Sequence, residues 1–462
     1  MEVKIGKRLT LEDVALVAQG RATVSLHEDA YRQIERSRAL YYEAVEKGLP
    51  IYGVTTGLGD LVKVKTETVG EDIIYQHSVG VGPPAPKSWV RAAILIRAHQ
   101  LALGYSGVRI EVVRTLIDML NKDVVPVVPT YGSVGASGDL APLAHVALSI
   151  AGKGSVLING KVVPAFEGLR EAGIRPLSLD SREALALING TAYSTAVAAL
   201  AAWRMRNMLE RYLQFLPWYL KVVRANGEAL APKAQVKCHE GMRKIAESLL
   251  ELGKGARLND PYSIRCVPQV LGAVVDSLKW ASEILVNEIN SPSDNPIFLE
   301  EGPIPTCHFH GQYVALASDV LAITIATWAN LVERQIAQIL RGEITGKADY
   351  LVNKPGEVGD MIYQYTAASI AARLRAYSSP YSVHNIPTSG LQEDVNSMSA
   401  NAAVRLHEML DALADLLSIQ VVVTYDASDE CNAFDICKKI SQWLKNQAIP
   451  TERIAKAKSL WS

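Results

Sequence analysis

The sequence predicts a mainly α-helical protein, an expectation that rests on three observations. Beyond about Ser181 apolar residues recur every three to four positions, as at Val267, Val270, Leu271, Val274, Leu278 and Leu285, the spacing that lines one face of a helix. Few prolines interrupt the long segments 312–340, 360–375 and 397–425, as a helix bundle requires. The first part of the chain instead alternates shorter helical runs with glycine-rich loops, IYGVTTGLGD at 51–60 and HSVGVGPPAP at 77–86 among them, and such loops carry sites more often than scaffolds. The expected organisation is an N-terminal domain over 1–180 that bears these loops, followed over 181–462 by a long-helix bundle and a short C-terminal helical segment.

A chain of 462 residues can bury a large core and enclose a cavity. Lys+Arg 47 against Asp+Glu 48 leaves a net charge of −1, so no overall field favours nucleic acid or an anionic membrane, and the expected partner is a small molecule. The cysteines, Cys238, Cys266, Cys307, Cys431 and Cys437, are odd in number and scattered, and the opening MEVKIGKRLTLEDV lacks the apolar core of a secretory signal. Free thiols in the cytoplasm are expected. The most apolar long run, 313–332, contains Asp319 and flows into Glu333 and Arg334, which suits a buried helix better than a membrane span.

The stretch YGSVGASGDLAPLAH at 131–145 has two readings. In the plain one the glycines supply permissive dihedrals, Ser137 or Asp139 caps, and a buried helix begins at Leu140. In the chemical one Ala136-Ser137-Gly138 cyclises on itself. The Gly138 amide nitrogen attacks the Ala136 carbonyl carbon, and loss of water from the ring and from the Ser137 side chain leaves an imidazolone with an exocyclic methylene. A small residue at 136, a β-hydroxyl at 137 and no Cβ at 138 each serve that reaction. Spacing alone leaves both readings open.

Three further stretches set ionisable groups in apolar surroundings: NDPYSIRC at 259–266, CHFHG at 307–311 and PTSGLQEDVNSM at 387–398. Taken singly, Arg265 reads as an ordinary paired arginine, Glu393 with Asp394 as a solvated face, and His77 as a hydrogen-bonded histidine. Cys307, His308 and His310 do not read as metal ligands, because side chains at i and i+2 point to opposite faces of a strand and splay on a helix. No metal is expected.

Together YGVTTGLG around Tyr52, HSVGVG around His77, GSVGASGDLAPLAH around Ser137, LALINGT around Asn189, NDPYSIRCVPQVLG around Tyr262 and Arg265, FHG at Phe309 and PTSGLQEDVNSM around Glu393 resemble the histidine and aromatic amino acid ammonia-lyase family, histidine lyases in particular. The resemblance spans almost the whole chain. It implies a fumarase/aspartase-like bundle joined to an N-terminal domain that bears 4-methylidene-imidazol-5-one (MIO), formed autocatalytically from Ala136, Ser137 and Gly138. It also implies Tyr52 as the base, Tyr262 as a further catalytic residue, Asn189 beside the prosthetic group, Arg265 as a carboxylate clamp, Phe309 as an apolar wall, and His77 with Glu393 facing an imidazole. A homotetramer with sites shared between subunits follows from the same resemblance.

The chemistry has its own requirements. Expelling ammonia from an α-amino acid means removing an unacidic β-proton and losing a poor leaving group, so a base needs an electron sink opposite it. A phenol with an ordinary pKa of about 10 has to be lowered by positive charge or donated hydrogen bonds to act as that base, and Arg265 is expected to do this as well as to hold the substrate carboxylate. Glu393 favours histidine, since a carboxylate accepts an imidazole N–H and a phenyl ring offers none. The alternatives are a tyrosine or phenylalanine lyase, an aminomutase using the same electrophile, and an inactive scaffold. Asn259 stands where histidine lyases usually carry glutamine, and DVNSM at 394–398 is similar to phenylalanine lyases.

Overall fold

The computed structural model describes residues 1–63, 70–249, 252–255, 257–428, 435–445, 447 and 449–461. The chain is mainly helical, with long helices Ala192–Val222, Val267–Ile289, Gln312–Ile339 and Ser399–Ala427 of 31, 23, 28 and 29 residues. The segments read at 312–340, 360–375 and 397–425 are the helices Gln312–Ile339, Met361–Tyr377 and Ser399–Ala427, with ends moved by one or two residues, and the periodic run from Val267 to Leu285 lies within Val267–Ile289. Two stretches, Ser181–Val222 and Gln312–Ile339, are long and apolar enough to cross a membrane, but their most apolar windows are 100% and 72% buried within the protein. That burial accounts for their apolarity as core. Cys238, Cys266 and Cys307 are free thiols; Cys431 and the side chain of Cys437 lie outside what is described.

The chain divides into two compact units, each assembled from three stretches. The first comprises Met1–Trp203, Ser282–Asp319 and Pro380–Val404; the second comprises Arg204–Ala281, Val320–Ser379 and Arg405–Ser462. In the first unit three short helices, Gly70–His77, Leu140–Ile150 and Ser181–Ile188, pack against one another. Asn189, just past the end of the third helix, thereby reaches Ser137, just before the start of the second. The Ser181–Ile188 helix starts sharply because Asp180 and Glu183 form a reciprocal capping box. Glu183 is fully buried yet stabilised by Arg109 at 2.6 Å. A two-stranded antiparallel pairing, Val81–Pro84 with Pro129–Tyr131, ties the segment after His77 to the approach of the 133–139 loop.

The second unit holds a core of Tyr212, Phe215, Trp218 and Trp328. It also holds a half-buried acid pair. Arg453 grips Asp426 through two bonds of 2.7 and 2.6 Å, while burial, and then the charge of Asp426, push the Asp360 carboxyl up to about 7. The folded chain therefore keeps a proton on Asp360 up to about pH 7, whereas the unfolded chain releases it near its ordinary value of about 3.9. Folding binds the extra proton between these limits, so this contribution to stability is complete at acid pH and is lost as pH rises through 7. Asp360→Asn should raise Tm by a few degrees at pH 8 and by much less at pH 5. Thermal unfolding at the two pH values checks this, and an equal shift at both would contradict it.

Candidate active site

The 133–139 loop is pinned from several sides. Met398 N–H donates to Val134 O at 2.7 Å, and Ser397 Oγ and Gly311 N–H donate to Gly135 O at 2.8 and 3.1 Å. Gly138 sits at φ +74°, and a Cβ there would lie 2.4 Å from Gly190 O. Only glycine fits this left-handed close approach. Asn189 Nδ2 donates to Ser137 O at 2.8 Å from the end of the Ser181–Ile188 helix. The plain reading of the loop proves half right: a buried helix does start at Leu140, but neither Ser137 nor Asp139 caps it with a side-chain bond. The fully buried Asp139 carboxylate instead accepts from Ser133 Oγ at 2.7 Å and from Ser194 N–H and Oγ at 2.7 and 2.9 Å. It serves the first turn of the Ala192–Val222 helix, where orphan N–H groups favour an anion, and burial still pushes its pKa up.

Beside this loop lies a cavity of about 660 Å³. Tyr52, Ala136, Ser137, Phe309 and Glu393 line it, with Cys307, His310 and Gln392 among the other walls. Glu393 is the polar focus of the cavity. Ser137 Oγ donates to its Oε1 at 2.6 Å, and Thr388 Oγ1 donates to its Oε2 at 2.7 Å. The pairing of polar partners removes the desolvation cost that a lone half-buried carboxylate would carry.

Tyr52 Oη accepts the Gly59 N–H at 2.8 Å. The expectation of a lowered phenol is not met. Burial, the largest cause, pushes Tyr52 above its ordinary pKa and the Glu393 charge adds to the rise, while the Gly59 N–H alone opposes them. Arg265 is not among these influences: it belongs to the second unit, where its Nη1 donates to Asn259 Oδ1 at 2.7 Å. Asn259, which departs from the glutamine of histidine lyases, thus contacts the arginine six residues after it.

His77 ends its helix with Nδ1 2.6 Å from Ile73 O. A carbonyl only accepts, so Nδ1 carries the proton of that bond. His77 and Asn189 are not walls of the cavity, although Asn189 holds the backbone of one that is. Tyr262 lies with Arg265 on the short Tyr262–Arg265 helix of the second unit and is 76% exposed. The first unit therefore brings together Tyr52, Ala136, Ser137, Gly138, Asn189, Phe309 and Glu393. Sequence reasoning missed Thr388 and Gly59, which fix Glu393 and Tyr52. Both lie inside quoted blocks, but nothing in a lone threonine or glycine announces the bond it makes.

The family model described as aromatic amino acid lyase matches residues 9–445. The chain belongs to the aromatic amino acid lyase family. This lyase is 40% identical over 440 residues to a histidine ammonia-lyase of Caldanaerobacter subterraneus subsp. tengcongensis, covering 91% of this chain and 87% of that one. Among solved structures it resembles the Pantoea agglomerans phenylalanine aminomutase, with a TM-score of 0.94 and 28% identity over 100% of this chain and 99% of that chain. It is also similar to the histidine ammonia-lyase of Trypanosoma cruzi, with a TM-score of 0.90 and 29% identity over 100% and 93% of the two chains. The mainly helical fold expected from the sequence is the fold of these relatives.

Proposed function

We propose that this aromatic amino acid lyase eliminates ammonia from L-histidine to give urocanate. The observation that carries the reading is the Glu393 carboxylate, set in the cavity beside Ser137, where it can accept an imidazole N–H that phenylalanine and tyrosine lack. The identity to histidine ammonia-lyases supports the same substrate.

The residues around Ser137 suit an MIO group made from Ala136, Ser137 and Gly138. Gly138 leaves its nitrogen unshielded against the Gly190 backbone, Asn189 grips the Ser137 carbonyl, and the Asn189 Oδ1 is buried without a partner. When formed, the group supplies an electrophilic methylidene carbon that draws electrons from the substrate. Tyr52, across the same cavity, would take the β-proton once its phenol is ionised. Arg265 would clamp the substrate carboxylate, Phe309 would wall the ring, and His77 would orient it through Nε2. Tyr262 is exposed in its own chain, as a residue would be that completes a neighbouring chain's site. Tyr313, Leu316 and Ile323 leave one apolar face of the Gln312–Ile339 helix 67%, 46% and 47% exposed, which supports a homotetramer.

The test is a panel of aromatic amino acids with ultraviolet detection of the alkene. Histidine should give the highest kcat/KM, and Glu393→Gln should lower it by about one to two orders of magnitude, since a charge-assisted hydrogen bond is lost. Preference for tyrosine or phenylalanine would replace the substrate, and a β-amino acid product would make the chain an aminomutase.

A further inference from the structure

Glu393 is held by two hydroxyls, and only one of them outlasts the chemistry proposed for Ser137. The loss of water that makes the methylidene breaks the Ser137 Cβ–Oγ bond. The electrons of the Cα–H bond form the new double bond, and the oxygen departs as water with its own hydrogen and the Cα proton. Oε1 of Glu393 then loses its 2.6 Å partner, whereas Oε2 keeps Thr388 Oγ1 at 2.7 Å.

Thr388 is built to hold that bond. Its N–H donates to Glu393 O at 3.0 Å, and Glu393 N–H donates back to Thr388 O at 3.3 Å, so the two residues face each other across an isolated bridge. The buried Asn396 donates through Nδ2 to Ile386 O and to Thr388 Oγ1, the latter at 3.3 Å. With its acceptor side engaged, the threonine hydroxyl has Glu393 as the target for its own hydrogen. Three of the four residues between them, Ser389, Gly390 and Leu391, take left-handed φ values of 51°, 60° and 70°. For Ser389 and Leu391 that backbone is unfavourable unless surrounding bonds enforce it.

We propose that Thr388 is a positioning residue that anchors Oε2 of Glu393, so that the loss of the Ser137 hydroxyl hands Oε1 over to the substrate's imidazole. This rests on the lyase reading above. It makes the specificity carboxylate self-occluded in the uncyclised chain and aimed once the triplet has matured.

The experiment compares wild type, Thr388→Val, Thr388→Ser, Glu393→Gln and the Thr388→Val/Glu393→Gln double variant in intact mass and in steady-state turnover of histidine. Valine matches threonine in shape, so Thr388→Val should still show the mass loss of the cyclised triplet. Its KM for histidine should rise by about tenfold, with a smaller change in kcat. Thr388→Ser, which keeps the hydroxyl, should restore most of the affinity. The two substitutions should be strongly non-additive, because a glutamine at 393 has already lost the charge that Thr388 orients. Additive effects, a serine variant as impaired as the valine variant, or a Thr388→Val chain that fails to lose its waters would overturn the proposal while leaving the lyase reading intact. A wild-type chain that neither loses water nor turns over histidine would instead remove that reading, and the proposal with it.

Discussion

The intact mass of natively expressed protein should fall short of the sequence mass by two water molecules, and Ser137→Ala should remove the second of these together with turnover. The Gly138 nitrogen must reach the Ala136 carbonyl carbon, and the loop favours that approach. Gly138 is held left-handed against Gly190, the Val134 carbonyl accepts from the Met398 N–H, and the Gly135 carbonyl accepts from the Ser397 hydroxyl and the Gly311 N–H. Without the Ser137 hydroxyl no methylidene forms, and the electron sink that elimination requires is missing. Turnover should drop by roughly a thousandfold or more. The same sample under native conditions should carry four chains. A wild-type mass equal to the unmodified sequence would refute the electrophile and the lyase assignment together.

Tyr52→Phe should abolish turnover by roughly two to four orders of magnitude while leaving the mass deficit unchanged, because the phenol acts on substrate and not on the triplet. The raised pKa of Tyr52 gives this prediction a pH signature. Burial and Glu393 favour the neutral phenol, and the ionised form is the base, so kcat/KM should keep climbing through alkaline pH instead of levelling off near neutrality. Removing the neighbouring charge by Glu393→Gln should move the rising limb to lower pH. A Tyr52→Phe chain that lacks the mass deficit would assign Tyr52 to maturation; a pH profile flat from 7 to 10 would contradict the raised phenol.

Much of this protein was legible from local pattern. A period of three to four residues is imposed by the helix itself, so the bundle helices at 312–339, 361–377 and 399–427 could be read to within one or two residues of their ends. The blocks around Tyr52, Ser137, Phe309 and Glu393 stood out only together, through their resemblance to the ammonia-lyase family, since each taken singly read as an ordinary loop or solvated face. Asp139 was misread: local rules offer an aspartate before a helix as that helix's cap, and nothing nearby in sequence says that its carboxylate would go to Ser194, 55 residues on.

The sequence by itself determined the helices and the chemical groups available, since both follow from short-range periodicity and residue type. Only the tertiary structure decided what those groups are like. Tyr52 is a phenol raised in pKa because burial, with the charge of Glu393 adding to it, favours the neutral form. Glu393 is not a solvated acid but a doubly hydrogen-bonded one, because Ser137 arrives from 256 residues away and Thr388 from five. Proton affinity and side-chain aim depend on distance and burial in space, and the order of residues along the chain does not contain them.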